Sequence, residues 1–382
     1  MKTCIAAYSA WTTGKDEAWK IFDHPDPLTS TGTVERMLDS FIKSEVKAPV
    51  IIFPSSTDIK VEKHVKKLVE PYRKKLDVHV FTGKEMKKMV TSLKKSGFPR
   101  EFDDVWDLAN YGRYRNWMLL YAAFKGFDNI LTIDDDELIE KKGYIEKICE
   151  KDIGTKYKGE EVWGKGGCYI NERGEKFYDG QIAEFMNWPK DRLFNRSIKD
   201  QLNAPGGRLV YCEAACGGNM IENREMFLKV PYDINITRGE DDDYTFNAEY
   251  LGFKYFFDKD MAVRHLPPPR TKHFWTRMRQ DIKRFKYLRE KVKIYGRSLD
   301  NINVFYKYFL QDDLEFKAVS GSIDAAKKYF GKDPEEVEEF LNNAIVAASE
   351  LDRKRMAALV EKQIRFMITW GRIVPKIEGL WA

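Results

Sequence analysis

The chain has 382 residues, 43% of them hydrophobic, which suits a large domain with an appendage or two domains around sizeable cores. Lys and Arg number 65 against 60 Asp and Glu, and the resulting +5, with an isoelectric point near 8.6, is too mild to argue for nucleic acid as a partner. No apolar run reaches the roughly 18 to 20 residues that span a bilayer, and the opening MKTCIAAYSAWTTGKDEAWK lacks a long apolar stretch before a small-residue cleavage site, so a cytoplasmic location is expected.

The first third alternates between strand and helix patterns. TCIAAYSAW reads as a short strand, and TVERMLDSFIKSE places Val34, Met37, Leu38 and Phe41 at helical spacing after Thr31 and Thr33, either of which can cap. APVIIFPSSTD is a continuous apolar run closed by turn residues, as expected of a strand buried on both faces. The helical VEKHVKKLVEPYRKK follows, then the strand DVHVFTG, the basic KEMKKMVTSLKKSG, and GRYRNWMLLYAAFKG with Trp117, Leu120, Tyr121 and Phe124 on one face. NILTI closes the series. Strands joined by helical crossovers predict an open α/β sheet, whose ligands gather beyond the carboxyl ends of the strands.

From about 150 to 215 the pattern loosens. WGKGGCYINERGEKFYDG predicts a hairpin-bearing insertion and MNWPKDRLFNRS a loop. CGGNMIENREMFLKVPYD, RGEDDDYTFNAEYLGFKYFFD and MAVRHL restore regularity, and the prolines 267 to 269 mark a boundary, since they continue neither a central strand nor a helix. Beyond them the chain reads as helical and basic. The aromatic stretches FKYFFD and NVFYKYFL are expected in the core, and TKHFWTRMRQDIKRFKYLREKVK as a helix with a charged, solvated face. Cys4, Cys149, Cys168, Cys212 and Cys216 are odd in number and contain no Cys-x-x-Cys pair, so reduced structural thiols are expected. A charged fraction of 33% beside only five glutamines resembles heat-adapted chains.

Four features follow one another in a fixed order. Arg113, Arg115 and Asn116 stand at a helix start, where they can meet phosphate or sugar oxygens. Asp134, Asp135 and Asp136 end the strand NILTI, and three adjacent carboxylates at a buried strand end call for a cation or dense donors. Gly217 and Gly218 allow a backbone to approach a ligand closely. Glu240 and Asp241, in RGEDDDY, precede His265 by about two dozen residues.

In this order, from about residue 3 to 266, the sequence resembles the GT-A glycosyltransferases, particularly the family 2-like group that uses nucleoside-diphosphate sugars. The resemblance implies a Rossmann-like open mixed α/β sheet flanked by helices. It implies a domain over 1–268, with a nucleotide-sugar half to about 140 and an acceptor half over 141–268, followed by an α-helical region over 269–382 that lies outside the resemblance. It further implies that Asp134, Asp136 and His265 hold Mg²⁺ or Mn²⁺ on the donor diphosphate. Asp241 is the expected general base of an inverting transfer, with Glu240 beside it at the reacting groups. Donor contacts are expected from Ser9, Ser56, Asp58, Arg113, Arg115, Asn116, Asp134, Asp135, Gly217 and Gly218, and acceptor contacts from Asn219, Arg238, Arg270 and Lys272. One departure concerns the nucleotide: the turn FPSSTD carries Phe53 and Pro54 where uridine-using members often have acidic residues, which points to a guanosine donor such as GDP-mannose.

The acceptor expected from the basic stretch after His265 and the heat-adapted composition is a small anionic polyol, such as an inositol phosphate or a glycerate-type compatible solute. Three alternatives stand beside it. Transfer to a lipid-linked or cell-envelope glycan would use QIRFMITWGRIVPKIEGLW as a peripheral membrane contact. A sugar nucleotidyltransferase would also use paired aspartates, but YSAWTTGKD is a poor Gly-rich phosphate loop. A pure binding module would need no base beside a metal. Each motif also has a bland reading: a solvated acidic turn for 134–136, a packed loop histidine for His265, a dipole-complementing acidic helix start for 240–243, and an amphipathic surface for Arg115 and Asn116.

Overall fold

Thr3–Ser9 forms β1, buried along its whole length, and it organises the sheet. The computed structural model describes residues 1–14, 22–55, 58–108, 110–176, 185, 187–268, 273–349 and 353–381. The other strands of this sheet are β2 (Val50–Pro54), β3 (Val78–Val80), β4 (Asn129–Asp134), β5 (Glu137–Leu138), β6 (Gly164–Ile170), β7 (Leu209–Tyr211), β8 (Met220–Asn223) and β9 (Phe256–His265). Their order is β7-β9-β6-β8-β4-β1-β2-β3, with β5 added to β9. β1 runs parallel to β2 and β4, with Ile5 opposite Val50 and Tyr8 opposite Asp134. β3 continues the parallel half, whereas β8 is antiparallel to both β4 and β6. The sheet is therefore mixed, as the sequence predicts.

The crossovers are α1 (Val34–Lys43), α2 (Ile59–Val69), α3 (Gly83–Lys95) and α4 (Tyr111–Lys125). Local chemistry sets their ends: Asp58 accepts the Lys60 N–H at the start of α2, Thr82 and Glu85 form a reciprocal capping box on α3, and Gly126 closes α4 in the left-handed conformation. Thr33 occupies the cap position of α1 without a side-chain cap bond. α4 is buried all round rather than on one face, because it is roofed by later parts of the chain. β2 and β4 flank β1 on opposite sides, so the chain order reverses there. The crevice at this switch opens beyond Ser9, Pro54 and Asp134.

Later segments depart from the sequence expectation in two places. The stretch expected as a loop contains helix α5 (Lys190–Asn203), with Pro189 at its cap; a proline is tolerated at a helix start, so it marks an entry here rather than a break. α6 (Glu240–Tyr250) follows, and then a helical region of α7 (Phe274–Ile294), α8 (Val304–Phe309), α9 (Leu314–Tyr329), α10 (Pro334–Ala348) and α11 (Arg353–Ile373). α7 was expected to be solvated on its charged face. Instead most of it is buried, and several of its charges are paired inside the protein: Lys291 Nζ lies 2.7 Å from Asp233 and 2.6 Å from Asp243, all three without exposed side-chain surface, while Lys283 remains exposed. Lys286 donates to the carbonyls of Ala347 and Ser349 at the end of α10, at 2.7 and 2.8 Å.

The five cysteines are buried and free. FKYFFD and NVFYKYFL supply core residues, with Phe256, Phe257, Phe305, Tyr306 and Phe309 all buried. From α11, Phe366, Trp370 and Ile373 join the core of the sheet, and Trp381 packs on Phe124 at 4.7 Å. The apolar side of QIRFMITWGRIVPKIEGLW is thus occupied inside the protein. Among the described residues no helix is long and apolar enough to cross a membrane.

Glu222 in β8 is fully buried beneath the sheet and accepts the Tyr255 hydroxyl at 3.1 Å. Burial, partly opposed by that hydrogen bond, pushes its carboxyl up from 4.5 to about 8. The folded chain therefore holds this proton more tightly than the unfolded chain, so the group's contribution is complete below 4.5 and is lost as pH rises through about 8. Glu222→Gln is expected to gain on the parent by an amount that widens with pH, reaching the order of a few kcal/mol near pH 9. Thermal unfolding of both proteins across that range checks it; a gap independent of pH would overturn the assignment.

Candidate active site

The strand end of β4 is set by backbone pairing. β5 runs antiparallel to β9 with Glu137 opposite His265, and the Leu266 N–H donates to the Asp136 carbonyl at 3.0 Å. This pairing carries His265 to the aspartates. Its Nε2 lies 3.4 Å from Asp136 Oδ2, and His24 Nε2 lies 3.4 Å from the same oxygen. The Tyr169 ring stacks on the His265 ring at 4.5 Å and 19°, which fixes the imidazole plane.

The four consecutive acids of this turn differ in charge because their partners differ. Burial favours the neutral form of each, but at Asp136 the two imidazoles outweigh it and hold the carboxyl far below the usual carboxylate range. Burial and the neighbouring Asp136 push Asp135 well up, although Ser9 Oγ donates to its Oδ2 at 2.6 Å. Glu137 is likewise pushed well up by burial, Asp134 and Asp136, while accepting the Asp134 N–H at 3.0 Å. Asp134 is raised by burial, with Arg115 opposing. A Cβ on Gly218 would fall 2.0 Å from Glu137 Oε1, so the Gly217-Gly218 strip lies directly against the acidic turn.

Arg115 joins the two acidic motifs. It projects from the first turn of α4, is 2% exposed, and places Nη2 2.9 Å from Asp134 Oδ1 and Nε 3.3 Å from Glu240 Oε1. Its Nη1 is buried without a hydrogen-bond partner. In the run 240–243 each carboxylate has a separate assignment: Glu240 meets Arg115, Asp241 Oδ2 accepts the Gly217 N–H at 2.9 Å, Asp242 Oδ1 accepts the Ala215 N–H at 2.7 Å, and Asp243 binds Lys291. Of the four, Asp241 alone retains appreciable exposure. Burial and Asp241 push Glu240 up to about 7, with Arg115 opposing. Burial and Asp241 likewise take Asp242 up to about 8.

These groups line one cavity of about 160 Å³ that opens into about 1060 Å³ of space continuous with solvent. Arg115, Asp134, Asp135, Asp136, Gly217, Arg238, Glu240, Asp241 and His265 are all on its wall. Other residues singled out from the sequence lie elsewhere. Ser9 is fully buried and supports Asp135. Arg113 binds Asp107 at 2.8 Å, and Asn116 exchanges two hydrogen bonds with the backbone of Tyr232 at 3.0 and 2.8 Å. Asp58 caps α2, and Asn219 is fully buried, accepting the Tyr144 hydroxyl at 2.7 Å. Ser56, Arg270 and Lys272 lie outside the described residues.

Several lining residues escaped the sequence reading. His24 and Asp23 come from FDHPDP, Tyr8 and Tyr111 from apolar segments, Lys190 from the unexpected α5, and Arg284 from α7. The only signal for His24 was its rarity, since the chain has five histidines. Asp23 is paired with Arg238 at 3.3 Å, and Arg284 Nη1 donates to the Arg238 carbonyl at 3.2 Å.

The donor chemistry fits a divalent cation. Asp136 Oδ2 is 3.4 Å from each imidazole Nε2, somewhat wider than the roughly 3.0 Å between neighbouring ligands of an octahedral ion with bonds of roughly 2.1 Å, so the three would draw together around one. Carboxylate oxygen with imidazole nitrogen suits Mn²⁺ or Mg²⁺. Among the described residues, however, no group of three or more His, Cys, Asp and Glu is already gathered around a common point. The imidazoles flank the carboxylate as hydrogen-bonding or ionic partners in this arrangement.

No family model and no curated protein matches the sequence. Solved structures of similar shape include the mannosyltransferase PcManGT from Pyrobaculum calidifontis in complex with GDP-Man and Mn²⁺, at 10% identity and a TM-score of 0.48, over 100% of this chain and 87% of that one. S. aureus TarS is similar at 14% identity and a TM-score of 0.43, over 98% of this chain but 55% of its own length. A mycobacterial protein is similar at 13% identity and a TM-score of 0.43, over 78% and 76% of the two chains. Likenesses this distant carry no argument about activity, which rests on the chemistry of the cavity.

Gly239, at the start of α6, has φ of +71° and would place a Cβ 1.4 Å from Arg284 Nη1. Gly239→Ala is expected to cost about 2–4 kcal/mol through backbone strain and displacement of that guanidinium. An unchanged denaturant midpoint would contradict it.

Proposed function

We propose that this chain is a cytoplasmic, metal-dependent, inverting glycosyltransferase that moves a hexose from a nucleoside-diphosphate sugar, with GDP-mannose as the donor of choice, to a hydroxyl of a small anionic polyol. The observation that supports this reading is the pairing of an ionised Asp136, flanked by two imidazoles, with the accessible Asp241 on the wall of one cavity at the carboxyl end of parallel strands. Such a site has separate groups for the departing diphosphate and for the attacking hydroxyl.

Asp134, Asp136 and His265, joined by His24, would hold Mg²⁺ or Mn²⁺. When bound, the ion supplies positive charge to the diphosphate oxygens. Arg115, with a buried N–H unpaired, adds a fixed positive group beside Asp134. Asp241 receives the acceptor's hydroxyl proton while the acceptor oxygen bonds to the anomeric carbon and the diphosphate leaves with the electron pair of the broken C–O bond. Gly217 holds the Asp241 carboxylate through its N–H, so the base is oriented by backbone. Glu240, protonated in part near neutrality, suits contact with sugar hydroxyls. Arg238, Lys190 and Arg284 line the same cavity, paired with Asp23, Asp191 and Asp281, and would turn to an anionic acceptor there. Residues 1–268 form the catalytic domain in this reading, and the helical region that follows adds Arg284 and Phe305 to the wall of its cavity.

Asp136→Ala should abolish Mn²⁺-dependent nucleotide binding, read as loss of the GDP-induced thermal shift, while the fold persists. Full transfer by the parent protein in EDTA would overturn the metal dependence. Asp241→Asn should leave GDP affinity within about twofold and lower transfer by 10²-fold or more; an unchanged rate places the base elsewhere.

A further inference from the structure

A second cavity, of about 640 Å³, lies between α7, α10 and α11 beside residues 235–237. Its size is that of a small-molecule site, within the usual range of about 300–1000 Å³. The lining is chemically one-sided. Arg279, Lys283, Arg284, Lys286 and Arg355 contribute five cations, against Glu339 as the one carboxylate among the described residues. Between them lie Ile236, Val346, Met356 and Leu359, an aliphatic floor.

Two buried polar groups beside this wall have no hydrogen-bond partner. Trp275 is 8% exposed and Thr276 6% exposed, and neither the indole Nε1 nor the hydroxyl Oγ1 makes a hydrogen bond. Both atoms are themselves covered by neighbouring protein, so they lie behind the cavity wall rather than on it. Lys283 and Arg355 are exposed and in no ion pair with a described residue, so their charge is available to an occupant. Arg279 is already engaged, with its Nε 2.6 Å from Asn343 Oδ1 and its guanidinium 4.7 Å over the Trp275 ring, and forms a rigid edge. Arg284 lines this cavity and the first one alike.

We propose that this cavity binds an amphiphilic phosphate: a phosphate group held by Lys283 and Arg355, with an aliphatic part on Met356 and Leu359. The site stands apart from the glycosyl-transfer reading and does not depend on it. The same chemistry can arrive as a free alkyl phosphate or as a phospholipid in a bilayer.

Isothermal titration of the whole chain with n-octyl phosphate below its micellar threshold tests the free form, and co-sedimentation with vesicles containing phosphatidic acid tests the bilayer form. Saturable binding in either arm is expected, weakened at least tenfold in Lys283→Glu/Arg355→Glu and in the cavity-filling Met356→Trp. The arm that responds identifies the source. Both arms silent, binding unchanged in both variants, or inorganic phosphate binding as tightly as octyl phosphate would each overturn it. GDP and Mn²⁺ titration of the same variants reads the first cavity separately.

Discussion

The guanidinium of Arg115 ties the end of β4 to the start of α6. Two segments more than a hundred residues apart in sequence, one carrying Asp134 and the other Glu240, meet on this one buried side chain. Without its positive charge, the strand-end carboxylates and the acidic helix start would face one another across a cavity that already disfavours ionised acids by desolvation. Its position follows from α4, whose first turn lies beneath the carboxyl end of β4 and whose Gly112 packs against the backbone of Asp233 and Ile236. Charge at the site is therefore built into the packing of the fold.

The acids around Arg115 are divided by their partners into ionised and protonated groups. Asp136 has two imidazoles, whereas Asp135 and Glu137 have hydroxyl or backbone donors too weak to offset burial. On α6 the acids are likewise partnered one by one, with backbone N–H groups of residues 215 and 217 donating to Asp242 and Asp241. A run of like charges in sequence becomes, in space, a set of individually matched contacts. That is how the eight acidic residues of 134–137 and 240–243 share one region.

The helical region is bound to the sheet by the same means. Lys291 of α7 reaches two carboxylates that precede it by about fifty residues, and Phe185, Trp188, Ile236 and Phe246 pack into the core of the helices. α7 thereby places Arg284 at both cavities. Burial of a paired ion is a weak source of stability but a strict geometric requirement, because removing one partner strands the other. The helices are thus held in register with the residues that line the cleft.

Periodicity in the sequence was sufficient for β1 to β4, their crossovers and the helical region after the proline run, because apolar residues at spacings of two or between three and four determine which face of an element can be buried. The order of motifs likewise brought out Arg115, Asp134, Asp136, Asp241 and His265, all of which line one cavity. Tertiary structure alone decided the rest. His24 reaches Asp136 across 112 positions, Asn219 turns inward to the Tyr144 hydroxyl and Asn116 to the backbone of Tyr232, and Lys291 of α7 is buried against distant carboxylates. Local pattern encodes which residues must leave water; which charges meet once they have left is fixed by long-range packing, and no short stretch of sequence records it.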